Sequence, residues 1–479
     1  MTPEARAFAG DGIRPRSKPT RTPETVEAAQ VGAPVESGAP EIEPAESRAP
    51  GSGPEPPPEV EPESVEPGPT LAADVSAPDE PLTDELPAHS VHRGPHVVIV
   101  GGGGTGAALA HDLVLRGLRV TLVERGEITS GSTGRGMGLL HSGARYATSD
   151  RVAASDCVAE NKILRRIAPG SFEENDGLIV ALTEEEADFR KQFLEACWQA
   201  AVPTRQIPRN RVLGIEPGLD PSVRIALQVA DATMDPMRLV LRFLATARAN
   251  GGEIRTFTEV VKLSMAGRSV EGVRIRAHAT GLDEEIGADL VVNAAGAWAG
   301  KLAATADVTL PMTLEAGTMI AVRGRHSNMV VSRLREPGNS DLLVPMRQQT
   351  VFGVAWRDID DADDAASPEG ALEKLVGEAA QILPAVHEAT VRATWSSIRP
   401  VFADDAGRLE GMSGEIRCFD HALDPVPTEG FVTVAGGNST LMRHIAEAAA
   451  DVVCRKLGFD CRCETAATPL LPHPAWYAR

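Results

Sequence analysis

The stretch HVVIVGGGGTGAALAHDLVLRGLRVTLVERGEITSGSTGRGMGLLHSGARY occupies residues His96 to Tyr146. Its opening, His96–Val100, is a short β-branched apolar run, which predicts a buried parallel strand. Gly101, Gly103 and Gly106 follow in G-x-G-x-x-G spacing, with Gly104 inside the same turn. Ala107–Leu115 is rich in Ala and Leu and predicts a helix opening directly from the glycines. Gly117 ends that helix, and Val120–Val123 predicts a second buried strand closed by Glu124. Each glycine has its own task. Gly101 permits the tight turn, Gly103 lets the backbone approach a pyrophosphate, and Gly106 lets the helix pack close to the strand. The helix N-terminus offers free N–H groups and a positive dipole end to the phosphates. Glu124 lies 18 residues after Gly106, where a carboxylate accepts the ribose hydroxyls of an adenosine and repels a 2′-phosphate. Strand, turn, helix, strand and acid together predict a dinucleotide site, the alternative being a purely structural glycine turn.

The continuation selects the dinucleotide. Residues 131–150, GSTGRGMGLLHSGARYATSD, are glycine-rich, with few apolar residues before Leu139. An NAD-binding unit normally passes straight into another strand and helix, whereas a long glycine-rich segment suits a chain running along an extended FAD. The run Thr133-Gly134-Arg135, then Gly138-Leu139-Leu140-His141-Ser142-Gly143-Ala144-Arg145-Tyr146, closely resembles the signature of the FAD-dependent glycerol-3-phosphate dehydrogenases. Within that family it is most similar to the large subunit of the anaerobic bacterial enzyme. The resemblance extends from about Pro95 to Leu471. It implies an α/β fold: a Rossmann-like FAD-binding domain of the glutathione-reductase type with a mixed-sheet substrate domain.

Residues 1–90 carry 18 acidic and 6 basic side chains, so a net −12 of the formal −20 lies there, with 18 of the 36 prolines. This Pro/Glu/Ala-rich sequence has no helical or strand periodicity and too little apolar surface to offset its ordering entropy. It predicts a disordered acidic tail over residues 1–94, either a docking arm or spacer or simply a solvated segment. Met1–Gly10 lacks the apolar core of a secretory signal, and acids mixed among Arg14, Arg16 and Arg21 argue against a mitochondrial presequence. No apolar run is long enough for a transmembrane helix. The negative balance argues against nucleic acid as a partner. The six cysteines include no C-x-x-C pair, which favours reduced thiols in a cytosolic protein; Cys461-x-Cys463 is a weak metal or redox signal, and no metal site is expected.

Downstream, helices are predicted over residues 151–168, Glu184–Ala200, Met237–Asn250, Gly370–Leu383 and Leu441–Leu457. Strands are predicted at Gly177–Leu182, Arg224–Val229, Glu253–Phe257, Glu259–Leu263, Val270–Arg276, Asp289–Ala295 and Gly430–Ala435. Residues 210–219 include the turn Glu216-Pro217-Gly218-Leu219. Glu253–Phe257 and Glu259–Leu263 are both expected in the dinucleotide-binding layer. Thr318–Val322, Leu342–Pro345 and Val351–Trp356 alternate as a mixed or antiparallel sheet does. The FAD-binding domain is therefore expected over 95–175, 231–309 and 425–465, and the substrate domain over 176–230 and 310–424. The strand Asp289–Ala295 ends in Gly296-Ala297-Trp298, small residues over which a pyrophosphate passes in the resembling family, though alone it would also read as an ordinary buried strand. Gly436-Gly437 is expected to open the last helix and aim its N–H groups at the flavin.

The resemblance assigns the site residue by residue. The cofactor wall is expected to comprise Gly101, Gly103, Gly104, Gly106, Glu124, Arg125, Thr133, Gly134, Leu140, Ser142, Val260, Ala295, Gly296, Trp298, Gly436, Gly437 and Asn438. Arg145 and Tyr146 stand where the family places substrate-side residues, and Arg399 in Ser397-Ile398-Arg399-Pro400 matches its Arg-Pro, there clamping an anion or polarising a developing carbonyl. His141 and His421 are the candidate bases, His141 also fitting a packing role beside the flavin. Two departures stand out. Asn438 replaces the family's lysine in Gly-Gly-Lys, and Ser413-Gly414 stands where the family has Ser-Arg or Thr-Arg, with Arg417 a nearby substitute out of phase. No cysteine-rich extension of the family's kind appears before Arg479, so electrons are expected to leave through a partner subunit, through a quinone at the membrane surface or to dioxygen.

Three readings follow. The first is an FAD-dependent dehydrogenase oxidising sn-glycerol 3-phosphate to dihydroxyacetone phosphate by hydride transfer to flavin N5. It would be cytoplasmic, with peripheral contact at the inner membrane face allowed. The second is an FAD-dependent oxidase or dehydrogenase of a 2-hydroxy acid or an amine, within the wider amino-acid-oxidase superfamily. The third is a non-catalytic flavin-binding subunit.

Overall fold

The computed structural model describes residues 94–336, 340–402, 405–409, 412–413 and 415–478. The expected acidic tail, apart from Gly94, and the expectation at Gly414 lie outside the described residues.

Six strands form the dinucleotide-binding sheet, in the order Ile416–Asp420, Phe431–Gly436, Leu290–Asn293, His96–Val100, Arg119–Val123 and Glu253–Arg255. The last five run parallel and the first is antiparallel to its neighbour. The unbroken apolar run of His96–Val100 is explained by burial on both faces. Val97 and Ile99 pack with the helices Gly104–Leu115, Pro236–Ala249 and Met442–Lys456. Val98 and Val100 pack with Leu263, Val273 and Ile275 of a three-stranded antiparallel sheet, Thr258–Ala266, Ser269–Ala277 and Asp283–Gly287. That sheet corrects one expectation: Glu259–Leu263 leaves the dinucleotide-binding layer. The chain turns at Phe257, whose φ is +51°, and the following residues pair with their own hairpin instead.

Eight strands form a second, mixed sheet. Their order is Val391–Phe402, Met312–Arg323, Gln349–Ile359, Leu342–Met346, Val330–Arg333, Gly177–Ala181, Ile225–Val229 and Thr204–Ile207. Alternate residues again enter different cores. Leu178 and Val180 join Leu375, Ala379 and Ile382 of the helix Ala371–Ile382, while Ile179 and Ala181 join Phe193 and Cys197 of the helix Glu184–Gln199. A capping box between Thr183 and Glu186 starts the latter helix. A short helix, Arg209–Ile215, precedes the expected turn at Glu216-Pro217-Gly218-Leu219. The strand Val391–Phe402 is an edge strand, which is why it tolerates Pro400.

No helix among the described residues is long and apolar enough to cross a membrane.

Candidate functional site

A cavity of about 1340 Å³ opens where the glycine turn, the 131–138 segment and the edge strand Val391–Phe402 converge. The strand ends Val100-Gly101, Val123-Glu124 and Ala435-Gly436 all reach it, as ligand sites at the carboxyl ends of parallel strands do. Pockets for one small ligand usually span about 300–1,000 Å³, so this volume has room for an extended dinucleotide and a substrate.

The glycine turn fits a dinucleotide phosphate on its own geometry. Gly101 has φ +114°, and a Cβ there would lie 2.5 Å from the Ala294 carbonyl oxygen. A Cβ on Gly106 would lie 2.0 Å from the Gly101 carbonyl oxygen, so only glycine allows this helix–strand approach. Gly103, the N-cap of the helix Gly104–Leu115, supplies no side-chain hydrogen bond. A side chain there would project to within 3.2 Å of Thr133 Oγ1, filling the space in front of the helix N-terminus. Glu124 is held in place: its Oε2 accepts from the Gly102 amide at 2.7 Å and its Oε1 from the Gly126 amide at 2.8 Å.

The 131–138 segment is tied along the edge strand. Ser132 Oγ donates to the Ile398 carbonyl, Ser397 Oγ donates to the Ser132 carbonyl at 3.3 Å, and Trp395 Nε1 donates to the Arg135 carbonyl at 2.9 Å. At the rim, Arg125 stacks over Trp298 at 4.3 Å, and Trp298 Nε1 donates to Asp363 at 2.8 Å. Lys301 bridges Asp361 and Asp363, each at 2.7 Å.

The substrate-side residues meet around Tyr146. Asn438 Nδ2 donates to the Tyr146 hydroxyl at 3.1 Å, and Asn438 Oδ1 accepts from the Thr440 and Leu441 amides. The last helix begins one residue from its expected start at Leu441, but the glycine pair does not open it directly. A capped turn, Ser439–Leu441, stands between Gly436-Gly437 and the helix Met442–Lys456, because the asparagine caps the backbone itself. The His141 amide donates to Thr440 Oγ1 at 2.9 Å. Its ring meets Tyr146 edge-on at 5.2 Å, and its buried Nδ1 has no hydrogen-bond partner among the described residues. Burial and the Arg145 charge lower the imidazole pKa to about 3, so His141 is neutral at ordinary pH. Burial raises the Tyr146 pKa, with Glu415 adding to the effect, so the phenol keeps its proton.

Arg145 pairs with buried Asp341 at 3.2 Å. Arg399 pairs with Glu315 at 2.8 Å, directly across the sheet, and stacks over Trp356 at 4.0 Å. Both arginines line the cavity, as do Asp150 and Glu415, two acids that no motif in the sequence singles out. Asp150 caps the helix Arg151–Ile167, which leaves it looking like an ordinary cap. Glu415 directly precedes a strand, and its carbonyl is fixed by the Gly437 amide at 3.1 Å. Burial raises its carboxyl pKa, Arg399 opposes the rise and Asp150 adds to it.

Of the expected wall, Gly101, Gly103, Gly104, Glu124, Arg125, Thr133, Val260, Ala295, Gly296, Trp298, Gly436, Gly437 and Asn438 line the cavity. Gly106, Leu140 and Ser142 stand behind it, and the exposed Gly134 lines a smaller pocket beside it. Leu140 is in the core, and the Ser142 amide donates to Asp231 at 2.7 Å. Two candidates drop out. His421 is buried, bonded to Asp424 at 2.7 Å and Thr433 at 2.8 Å, and stacked beside Phe431; it serves the fold. Arg417 is buried over Phe402 and off the cavity wall.

Residues 96–451 match the family described as DAO, FAD dependent oxidoreductase. The chain is similar to an anaerobic glycerol-3-phosphate dehydrogenase subunit of Escherichia coli K12, 39% identical over 384 residues, covering 79% of this chain and 71% of the relative. It is also similar to an anaerobic glycerol-3-phosphate dehydrogenase subunit of Haloferax volcanii, 36% identical over 393 residues and covering 79% and 66%. Among solved structures it resembles the glycerol-3-phosphate dehydrogenase of Bacillus halodurans complexed with FAD, at TM-score 0.61, 22% identity and coverage of 79% and 68%. The glycine oxidase of Geobacillus kaustophilus gives TM-score 0.60, 22% identity and coverage of 79% and 99%. At these identities the structural likenesses speak for the fold alone.

Proposed function

The chain belongs to the FAD-dependent oxidoreductase family, and from that premise we propose that it oxidises a secondary alcohol, sn-glycerol 3-phosphate, to dihydroxyacetone phosphate. It is an FAD-dependent dehydrogenase of the glycerol-3-phosphate dehydrogenase type. The observation that carries the substrate proposal is that Arg145, Tyr146 and Arg399 line the same cavity as the dinucleotide turn.

When bound, FAD would supply the two-electron acceptor for a hydride from the substrate carbon. The chain supplies the rest. The glycine turn and the helix dipole would hold the pyrophosphate, and Glu124 would receive the ribose. Arg399 and Arg145 face the phosphate as charge-assisted donors. Tyr146 stays protonated and donates. Neutral His141, whose ring lines the cavity, accepts the hydrogen bond of the substrate hydroxyl, orients it and is the group placed to take its proton. Electrons then pass to a partner subunit or to a quinone, and the protein works in the cytoplasm with peripheral membrane contact.

The test is anaerobic addition of glycerol 3-phosphate to the purified flavoprotein. Bleaching of the visible flavin band supports the reading. A flavin that dithionite reduces and glycerol 3-phosphate does not reduce overturns it.

One observation favours a second reading, oxidation of an amine or a 2-hydroxy acid. The Glu415 carboxyl faces the cavity near Arg399, and Asn438 brings no charge, so the wall is less cationic than a phosphate dianion prefers. A screen of amines and hydroxy acids by the same bleaching assay separates the two.

A further inference from the structure

The last helix, Met442–Lys456, ends in a tight reversal. Gly458 has φ +63°, its amide donates to the Arg455 carbonyl at 3.2 Å, and the Phe459 amide donates to the Cys454 carbonyl at 2.9 Å. This pair of bonds is the Schellman arrangement, which folds the chain back over the last helical turn. It brings Cys461 onto Cys454, sulfur to sulfur at 3.1 Å, about 1 Å beyond the ~2.05 Å of a formed disulfide. Both are free thiols. Cys454 is buried beneath Arg116, whose guanidinium lies 4.0 Å from the sulfur, and Cys461 is only half-buried. Cys463, the sequence neighbour in the C-x-C motif, points elsewhere: its thiol donates to Asp112 at 3.2 Å and contacts Thr465 at 3.1 Å.

We propose that Cys454 and Cys461 are a modification site that hydrogen peroxide converts to a disulfide, with Cys461 as the attacking thiol and Cys454 as the resolving one. The Cys461 thiolate attacks one peroxide oxygen, the O–O bond breaks, and the released hydroxide takes the thiol proton and leaves as water. The resulting sulfenic acid is attacked by Cys454 sulfur, the S–O bond breaks, and the hydroxyl leaves with the Cys454 proton as a second water. Two thiols are oxidised by two electrons in total, and one peroxide is reduced to two waters. Burial pushes the Cys454 thiol up to about 12 and the Cys463 thiol up to about 11, consistent with the first attack falling to Cys461. The bond would close the reversal at Gly458 and fasten the end of the helix whose first residue, Met442, lines the cofactor cavity.

The test uses the full chain, reduced, treated with hydrogen peroxide, alkylated and digested with trypsin without reductant. Arg455, Lys456 and Arg462 separate the three cysteines onto different peptides, so any disulfide joins two fragments. The expected result is a cross-link between the Cys454 and Cys461 peptides, formed before any other thiol is lost and retained in Cys463→Ser. In Cys454→Ser the same treatment should leave a dimedone-trappable sulfenic acid on Cys461. A Cys461–Cys463 link, or a Cys461 that stays alkylatable while other cysteines oxidise, would overturn the proposal.

Discussion

The Tyr146 hydroxyl and the Asn438 side-chain amide meet at 3.1 Å, although 292 residues separate them in the chain. The contact joins the loop that carries Arg145 to the turn that opens the last helix. It also shows what asparagine does where the resembling family has lysine: it caps the turn and holds the phenol.

Asn438→Ala should lose both roles. Losing an N-cap costs about 1 kcal/mol, which lowers the melting temperature of a chain this size by about 1 °C. Asn438→Lys should lose the cap and gain a cation at the wall. The expected outcome is a lower melting temperature with a KM for glycerol 3-phosphate reduced about tenfold, the low end for a charge-assisted bond. Steady-state kinetics beside a thermal melt separate these effects.

Arg399 is half-exposed and already paired with Glu315, so its removal should cost less than that of a buried clamp. Arg399→Gln is expected to raise KM about tenfold with a smaller change in kcat. Glu315→Gln should shift KM in the opposite direction by releasing the guanidinium. An unchanged KM in both variants would remove Arg399 from the substrate wall.

Gly106→Ala should abolish cofactor retention. Its Cβ would fall 2.0 Å from the Gly101 carbonyl oxygen, forcing the helix N-terminus away from the turn that faces the phosphates. The flavin-to-protein ratio after purification reads this directly, with circular dichroism as the check on folding.

Glu415 predicts a pH dependence. Glu415 is exposed as a whole, but desolvation of its carboxyl raises the pKa, so the group ionises only as pH climbs above the usual carboxylate range. The new negative charge opposes an anionic substrate, and KM for glycerol 3-phosphate should rise with pH through that ionisation. Glu415→Gln should remove the rise. If wild type and variant keep parallel KM profiles, Glu415 does not sense the substrate.

His111 predicts an acid limit to stability. It is fully buried against Phe243, with both ring nitrogens lacking a partner among the described residues, and burial lowers its pKa to about 3 from 6.5. Between those values the unfolded chain binds the proton and the folded chain does not. Stability therefore falls as pH drops below about 6.5, by up to ~1.4 kcal/mol per pH unit for this group. Buried acids with raised pKa, such as Glu160 and Asp231, act in the opposite sense, so the comparison must be with a variant. His111→Leu should flatten the loss between pH 6.5 and about 4 in thermal melts. Equal slopes would show that His111 takes up its proton without unfolding.

The sequence by itself determined the dinucleotide half of this protein. The first strand, the glycine turn, the helix and the acid at Glu124 are consecutive, so their periodicity and spacing carry the geometry without help from the rest of the chain. Only the tertiary structure decided who faces whom. Arg399 meets Glu315 because two strands pair in one register, and a slip of one residue would turn the arginine to the other face. Glu259–Leu263 left the expected layer because its hairpin partner competed for its hydrogen bonds. His421 and Arg417 looked like site residues and proved to belong to the core, while Asp150 and Glu415 looked ordinary and proved to line the cavity. Local sequence encodes conformation, but which side of a wall a side chain occupies depends on strand register and on the packing of segments far apart in the chain.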